Sequence, residues 1–370
     1  MPAMDAADLD PKKLVTPAAA GFSMPPEWAP HAATLMEWPC RRELWGDLLA
    51  GAKADYAAMV RAVAAFEPVI VVCPPGQAQE VRDACGTTGS GVDVVEFPID
   101  DSWARDNGPI FVTNAAGEVA AVRFGFNAWG DRWHPHADDA RMPERFARHL
   151  GMRLFEAPMI MEGGSITVDG EGTVLTTEQC NLNPNRNPGM PRETVERHLR
   201  DYLGIQTVLW IPFGHPLDVG PEGTDGHVDG VAAFLAPGRV VLDARQDPAA
   251  PEHAVGAANL AALRGARDAR GRAVEVEILD PGPGALVAHA NHYVVNGGVI
   301  VPLAAGGPAT AGDRQAELAA TAADERALTR LRGLYPDRAV VGVPGGVLEA
   351  GGGGPHCITQ QIPAGPIARP

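Results

Sequence analysis

The stretch Gly351-Gly352-Gly353-Gly354-Pro355-His356-Cys357 places a cysteine directly after the most flexible run of the chain. Glycine runs cost conformational entropy on folding and persist where a backbone must come close to something. A cysteine that only fills a core needs no such approach, whereas a nucleophile does. Other groups that a thiol nucleophile could use lie in polar, often glycine-rich loops. Trp103 and Asp106 fall in IDDSWARDNGP (99–109), Glu162 in MIMEGGS (159–165), His227 and Asp229 in FGHPLDVGPEGTDGHVDG (213–230), and Asn291 in GPGALVAHANHY (282–293). Singly, each has an ordinary reading: the acids as turn formers beside glycine, His227 as a satisfied core histidine, Trp103 as core. Together they supply a thiol, an imidazole, carboxylates and an aromatic ring. Carboxylates raise a thiol's pKa and repel an oxyanion, so this set suits acyl transfer poorly. It suits a cationic electrophile. A guanidinium is planar, and its forked N–H donors match carboxylates bidentately. Two carboxylates would hold its edges and leave the central carbon facing sulfur.

Dispersed loops need a scaffold that gathers them. Short β-rich runs end on proline at Pro98, Pro158, Pro212, Pro281 and Pro344, at intervals of 60, 54, 69 and 63 residues. Each proline is followed by one of the five loops. The first four loops lead into an apolar run, a Gly/Asn/Asp turn (114–118, 169–173, 236–239 and 296–298) and a second apolar run, the pattern of a hairpin. Helical patterns follow at about 138–150, 191–203, 254–269 and 313–334. The N-terminal region supplies the parts of a fifth unit: a strand over 34–39, a helix around 55–66 and a strand over 68–75. The repeat predicts an α/β protein with propeller-like radial closure, which would carry all five loops to one axis.

Bulk properties narrow the partners. The 370 residues are 45% hydrophobic and 21% charged, enough apolar content for a large core. A net charge of −16 argues against nucleic acid and anionic membrane surfaces as main partners, and favours cationic ligands. Cys40, Cys73, Cys85, Cys180 and Cys357 are scattered, odd in number and without a C-x-x-C pair, which predicts free thiols in a reducing cytoplasm. Residues 1–20 read as a loose tail without a signal peptide, and 21–370 as a single catalytic domain. No run of 18 apolar residues predicts a membrane span.

The set WARDNGP, EGGSITVDGEGTVLTTEQCNLNPNRNP, GHVDG and GGGGPHCITQQ, with MPPEWAPHAATLMEWP (24–39) and FNAWG (126–130), resembles agmatine deiminases. These belong to the bacterial peptidylarginine-deiminase-type branch of the guanidine-modifying superfamily. The resemblance runs from about residue 21 to 363. It implies a five-bladed pseudo-symmetric α/β propeller of ββαβ units, the pentein fold. It also implies hydrolysis of agmatine to N-carbamoylputrescine and ammonia through a covalent cysteine adduct, with no metal or organic cofactor. By resemblance Cys357 is the nucleophile and His227 the acid/base. Asp106 and Asp229 grip the guanidinium, Trp103 lines the pocket with Asn291, and Glu162 supports His227. The chain departs from the family at Gly354-Pro355, where Asn-Ile is usual, after Gly130, and over 287–294. Four other readings stand beside this one: deimination of another guanidine, an amidinotransferase, a non-catalytic binder of cationic amines, and a metal hydrolase using 134–139 with 227–229. Homo-oligomerisation is compatible with all of them.

Overall fold

The computed structural model describes residues 15–86, 91–218, 220 and 223–370. Residues 1–14 of the expected tail lie outside the described residues; Ala18–Ala20 form a 3-10 turn.

Among the described residues five separate sheets form. In four of them an antiparallel hairpin is followed by a helix, and the chain then returns as a strand parallel to the second hairpin strand. The hairpins are Ile110–Asn114 with Val119–Gly125, Ile166–Val168 with Thr173–Thr177, Ala232–Ala236 with Arg239–Asp243, and Tyr293–Val295 with Gly298–Leu303. The crossover helices are Met142–Leu150, Arg192–Leu203, His253–Leu263 and Arg314–Leu334. The returning strands, Leu154–Ile160, Thr207–Ile211, Glu275–Leu279 and Ala339–Pro344, are the runs expected to end on proline; the first instead continues two residues past Pro158 to Ile160, where an irregularity in its pairing with Val119–Gly125 accommodates it. The fifth sheet joins the two ends of the chain. Thr359–Pro363 pairs antiparallel with His31–Glu37, which lies parallel to Val69–Cys73 after the helix Leu49–Ala64, and Val92–Glu96 follows.

Local chemistry explains these elements. In the turns, Asn114 Oδ1 accepts from the Ala116 and Glu118 N–H groups, and Asp169 Oδ1 from those of Glu171 and Thr173. Two of the middle strands, Arg239–Asp243 and Gly298–Leu303, carry continuous apolar runs because both faces are covered. Val240, Val241 and Leu242 are fully buried, as are Val299, Ile300 and Val301. The helix Leu49–Ala64 buries Tyr56, Met59, Val60 and Val63, a one-sided 3.6-residue stripe. Each such side chain contributes about 1.5–3 kcal/mol of burial. The helix expected over 254–269 stops at Leu263, because Arg264 is extended and Gly265 takes a φ of 77°. The next residues turn back on themselves, with Asp268 accepting from the Arg270 and Arg272 N–H groups.

Among the described residues no helix is long and apolar enough to cross a membrane. All five cysteines are free.

Candidate active site

The loops that follow the proline-terminated strands meet. Asp106 sits on the one-turn helix Ala104–Asn107, directly after Trp103. The Arg105 N–H donates to the Cys357 carbonyl at 3.1 Å, which ties the first loop to the last. Glu162 precedes the 3-10 turn Gly163–Ser165. His227 is positioned by Asp218, whose carboxylate accepts from the Gly226 and His227 N–H groups, both at 3.0 Å.

The reactive atoms are close. Asn291 Nδ2 donates to Cys357 Sγ at 3.1 Å, and Sγ lies 3.5 Å from Asp229 Oδ2. His227 turns Nδ1 toward Asp106 Oδ1 at 3.7 Å and Nε2 toward Glu162 Oε2 at 3.6 Å. Trp103 stacks on Trp45 with centroids 5.8 Å apart and donates from Nε1 to Asp101 Oδ2 at 2.8 Å. All the residues expected on chemical grounds are thus brought together. A cavity of about 180 Å³ is lined by His227, Asp229, Asn291 and Cys357. A recess of about 20 Å³ beside it is lined by Trp103, Asp106, Trp129, Trp133 and again Cys357.

The glycines allow this approach. A Cβ on Gly353 would stand 3.0 Å from Cys357 Sγ and 2.6 Å from the Trp103 ring, and one on Gly354 would stand 2.6 Å from Asn291 Oδ1. Gly164 is the tightest point. Its N–H donates to Asp106 Oδ1 at 3.0 Å. A Cβ there would lie 2.6 Å from His227 Nδ1, 2.8 Å from Asp106 Oδ1 and 2.9 Å from Asp229 Oδ2.

Electrostatics set the charge states. Burial, then the charges of Asp229 and Asp106, push the Cys357 thiol well above its ordinary value. Burial alone would lower the His227 imidazole, but Asp106, the Cys180 sulfur and Glu162 outweigh it and hold the ring well above the histidine range. Burial, with the Asp229 and Glu162 charges, pushes Asp106 up to about 6, against the pull of His227 and the Trp129 indole. Burial would also raise Glu162, yet Arg186 and His227 hold it down to about 2. Asp229 stays below the usual carboxylate range despite burial, because His356 donates to it and carries charge beside it.

Several residues that shape the site lie within the quoted motifs, but sequence reasoning gave them no role. His356 donates from Nδ1 to Asp229 Oδ2 and from Nε2 to Glu27 Oε2, each at 2.8 Å. Arg105 approaches Glu27 at 4.0 Å. Arg186 Nε donates to Glu162 Oε1 at 2.7 Å, with both side chains fully buried. Trp129 donates from Nε1 to Asp106 Oδ2 at 2.8 Å. It does so from a left-handed backbone, φ 57°, next to Ala128 at φ 51°. Such conformations cost about 1–3 kcal/mol each in non-glycine residues and cluster at functional sites. The available signal was position: His356 adjoins the cysteine, Arg186 lies in NRNP and Trp129 in FNAWG.

The ligand set considered for a metal does not assemble. Among the described residues two groups place ligand atoms within 4.8 Å of one another: Asp131 with His134 and His136, and Glu162 with Cys180 and His227. The two are separate, and Asp139 instead accepts from the Asp100 and Asp101 N–H groups.

A buried thiol, an imidazole and two buried carboxylates meet on this α/β scaffold, the arrangement of a guanidine-modifying hydrolase. The family of Porphyromonas-type peptidyl-arginine deiminases matches residues 23–363, and the chain belongs to it. It is 44% identical to a Streptomyces coelicolor relative over 353 residues, covering 92% of this chain and 99% of that one. It is 39% identical to the agmatine deiminase of Stutzerimonas stutzeri over 379 residues, covering 94% and 97%. The solved agmatine deiminase of Enterococcus faecalis superposes with a TM-score of 0.83 at 32% identity, covering 94% of this chain and 97% of that one.

Proposed function

We propose that the protein is an agmatine deiminase, converting agmatine and water to N-carbamoylputrescine and ammonia. The observation that carries this reading is Cys357 Sγ held by Asn291 and lying 3.5 Å from Asp229, in a site that Asp106 and His227 share. The names of the full-length relatives point to the same substrate.

In this reading Asp106 and Asp229 accept hydrogen bonds from the guanidinium N–H groups. At the reacting end Asp106, Asp229, Glu162 and Glu27 lie beside His227, His356, Arg186 and Arg105, and Arg186 also pairs with Asp225. The guanidinium adds one positive charge, and ionisation of Cys357 matches it, so substrate itself favours the thiolate. Sulfur attacks the guanidinium carbon. The His227 imidazolium gives its proton to the leaving nitrogen, the C–N bond breaks and ammonia departs, leaving a thiouronium on Cys357. Neutral His227 then takes a proton from water as its oxygen adds to that carbon. The C–S bond breaks as the hydroxyl proton of the adduct passes to the departing sulfur, releasing the neutral ureido product and restoring the Cys357 thiol, while the proton that Cys357 gave up on substrate binding leaves to solvent, where ammonia takes it up. No step passes through a metal or organic cofactor.

The five sheets are read as blades of one pseudo-symmetric propeller, with 21–370 as a single catalytic domain in a reducing cytoplasm. The repeated hairpin–helix–strand order, the pairing of the last strand with the first long one, and the free cysteines support this. The test is a panel of agmatine, arginine, 4-guanidinobutyrate and peptidyl-arginine assayed for ureido product and ammonia, with Cys357→Ala beside wild type. Agmatine is the expected best substrate and the variant is inactive. Turnover surviving in Cys357→Ala, or no ammonia from agmatine, would overturn the proposal.

A further inference from the structure

The cavity holds more negative charge than the guanidinium end uses. Asp218 and Glu349 also line it, and no Lys or Arg does among its described lining. Its histidines do not compensate. His227 is engaged with Asp106 and Glu162, and His215 is held down to about 3 by burial and by Arg245, so it is neutral. The two carboxylates differ in how they are occupied. Asp218 is fully used: Oδ1 accepts from Thr224 N–H at 2.6 Å, and Oδ2 from the Gly226 and His227 N–H groups. Glu349, on the short helix Gly346–Ala350, is not. Its Oε2 accepts from Ala288 N–H at 3.2 Å, and its Oε1 accepts nothing among the described residues. Burial and the like charges of Asp218 and Asp229 push this half-buried carboxyl up to about 7, the state of a group that lacks a cation.

We propose that Glu349 recognises the terminal ammonium of a guanidinoalkylamine and so selects substrates with a free amine tail. This rests on the deiminase reading and adds to it what sets the substrate class. Asp106 and Asp229 take the guanidinium, which leaves Glu349, among the described residues, as the carboxylate of this cavity with an open oxygen for a second positive charge. An ammonium there donates to Oε1 and stabilises the ionised carboxylate. The α-carboxylate of free arginine, or the tail of a guanidino acid, would meet Glu349 with like charge. The neutral backbone of peptidyl-arginine would leave it unpaired. Sites built to pair with one polar group reject analogues that lack it far more strongly than apolar pockets reject a missing methylene.

The test compares agmatine with n-pentylguanidine, in which a methyl replaces the ammonium, on wild type, Glu349→Gln and Glu349→Asp. Wild type should favour agmatine by about 100-fold or more in kcat/KM. Glu349→Gln keeps the bond from Ala288 and removes the charge. It should raise KM for agmatine about 30- to 100-fold, the lower end of the range for losing a buried charge pairing, because Glu349 is only half-buried. Its kcat should stay within about threefold, and n-pentylguanidine should respond little. Glu349→Asp should restore most of the preference. An equal loss on both guanidines in Glu349→Gln would mark a structural role, and an unchanged KM for agmatine would place the tail elsewhere; either overturns the inference. Wild type that deiminates n-pentylguanidine and no amine-tailed guanidine would also overturn it while leaving the deiminase chemistry standing. Wild type inactive on every guanidine would remove the reading beneath it.

Discussion

His356 touches no reacting atom in the proposed scheme, yet its removal should disable the enzyme. Its ring donates both nitrogens to carboxylates, Asp229 and Glu27, at 2.8 Å each, which requires the imidazolium form. Burial and Arg105 act against that charge, and Glu27 and Asp229 outweigh them, so the ring stays above the ordinary histidine range. His356→Gln keeps one donor amide and loses the charge and the two-sided reach. Asp229 is only 5% exposed, so water replaces little of what is lost. Removing one partner of a buried, hydrogen-bonded charge pair costs about 2–5 kcal/mol. The bound guanidinium offsets part of this, leaving about 2–4 kcal/mol, or about 30- to 1,000-fold in kcat/KM. The pH profile carries a second signature. Asp229 now has a depressed pKa, so its charge persists as pH falls and is lost only on passing through that low value. Without His356 the pKa rises toward that of Asp106, which at about 6 sets the wild-type acid limb, so the limb of kcat/KM steepens and moves to higher pH. The assay is ammonia release from agmatine between pH 4.5 and 9, with circular dichroism at each pH to show that the variant is folded. A folded His356→Gln enzyme within threefold of wild type, with its acid limb unmoved, would refute the idea that His356 holds Asp229 ionised.

Three further outcomes follow from the same geometry. Gly164→Ala drives a methyl group among His227, Asp106 and Asp229 and should cut ammonia release by at least about 100-fold while the fold survives; near-normal turnover would mean that these groups do not share one slot. Iodoacetamide should label Cys357 slowly at pH 7 and faster as pH rises past about 8.5, whereas a cationic haloacetamidine should inactivate rapidly at neutral pH; fast, pH-independent labelling between pH 6 and 8 would indicate a preformed thiolate. Arg186→Met strands the Glu162 carboxylate in a fully buried position and should cost about 3–5 kcal/mol in denaturant unfolding, with activity lost alongside; unchanged stability would show that the pair is not a supporting contact of the site.

Much of this protein is determined by local sequence. Proline-terminated strands, Asn/Asp/Gly turns and 3.6-residue stripes each follow from backbone and side-chain preferences within a few residues, so the repeated unit can be read from the chain. The candidate site was legible for a different reason: singly, Cys357, His227, Asp106, Asp229 and Glu162 have ordinary uses in loops, but together they make a set that suits a cationic electrophile. What the sequence could not supply were the partners that set their charge. Glu27 and His356 are separated by most of the chain and meet because Thr359–Pro363 pairs with His31–Glu37. Arg186 reaches Glu162 only once the loops around them fold together. Glu349 reads as one more acid on a short helix until the cavity shows its open oxygen beside Asp218 and Asp229. Covalent order fixes which groups are present. Burial and the charges brought within a few ångströms decide which are ionised, and those are properties of the closed tertiary structure alone.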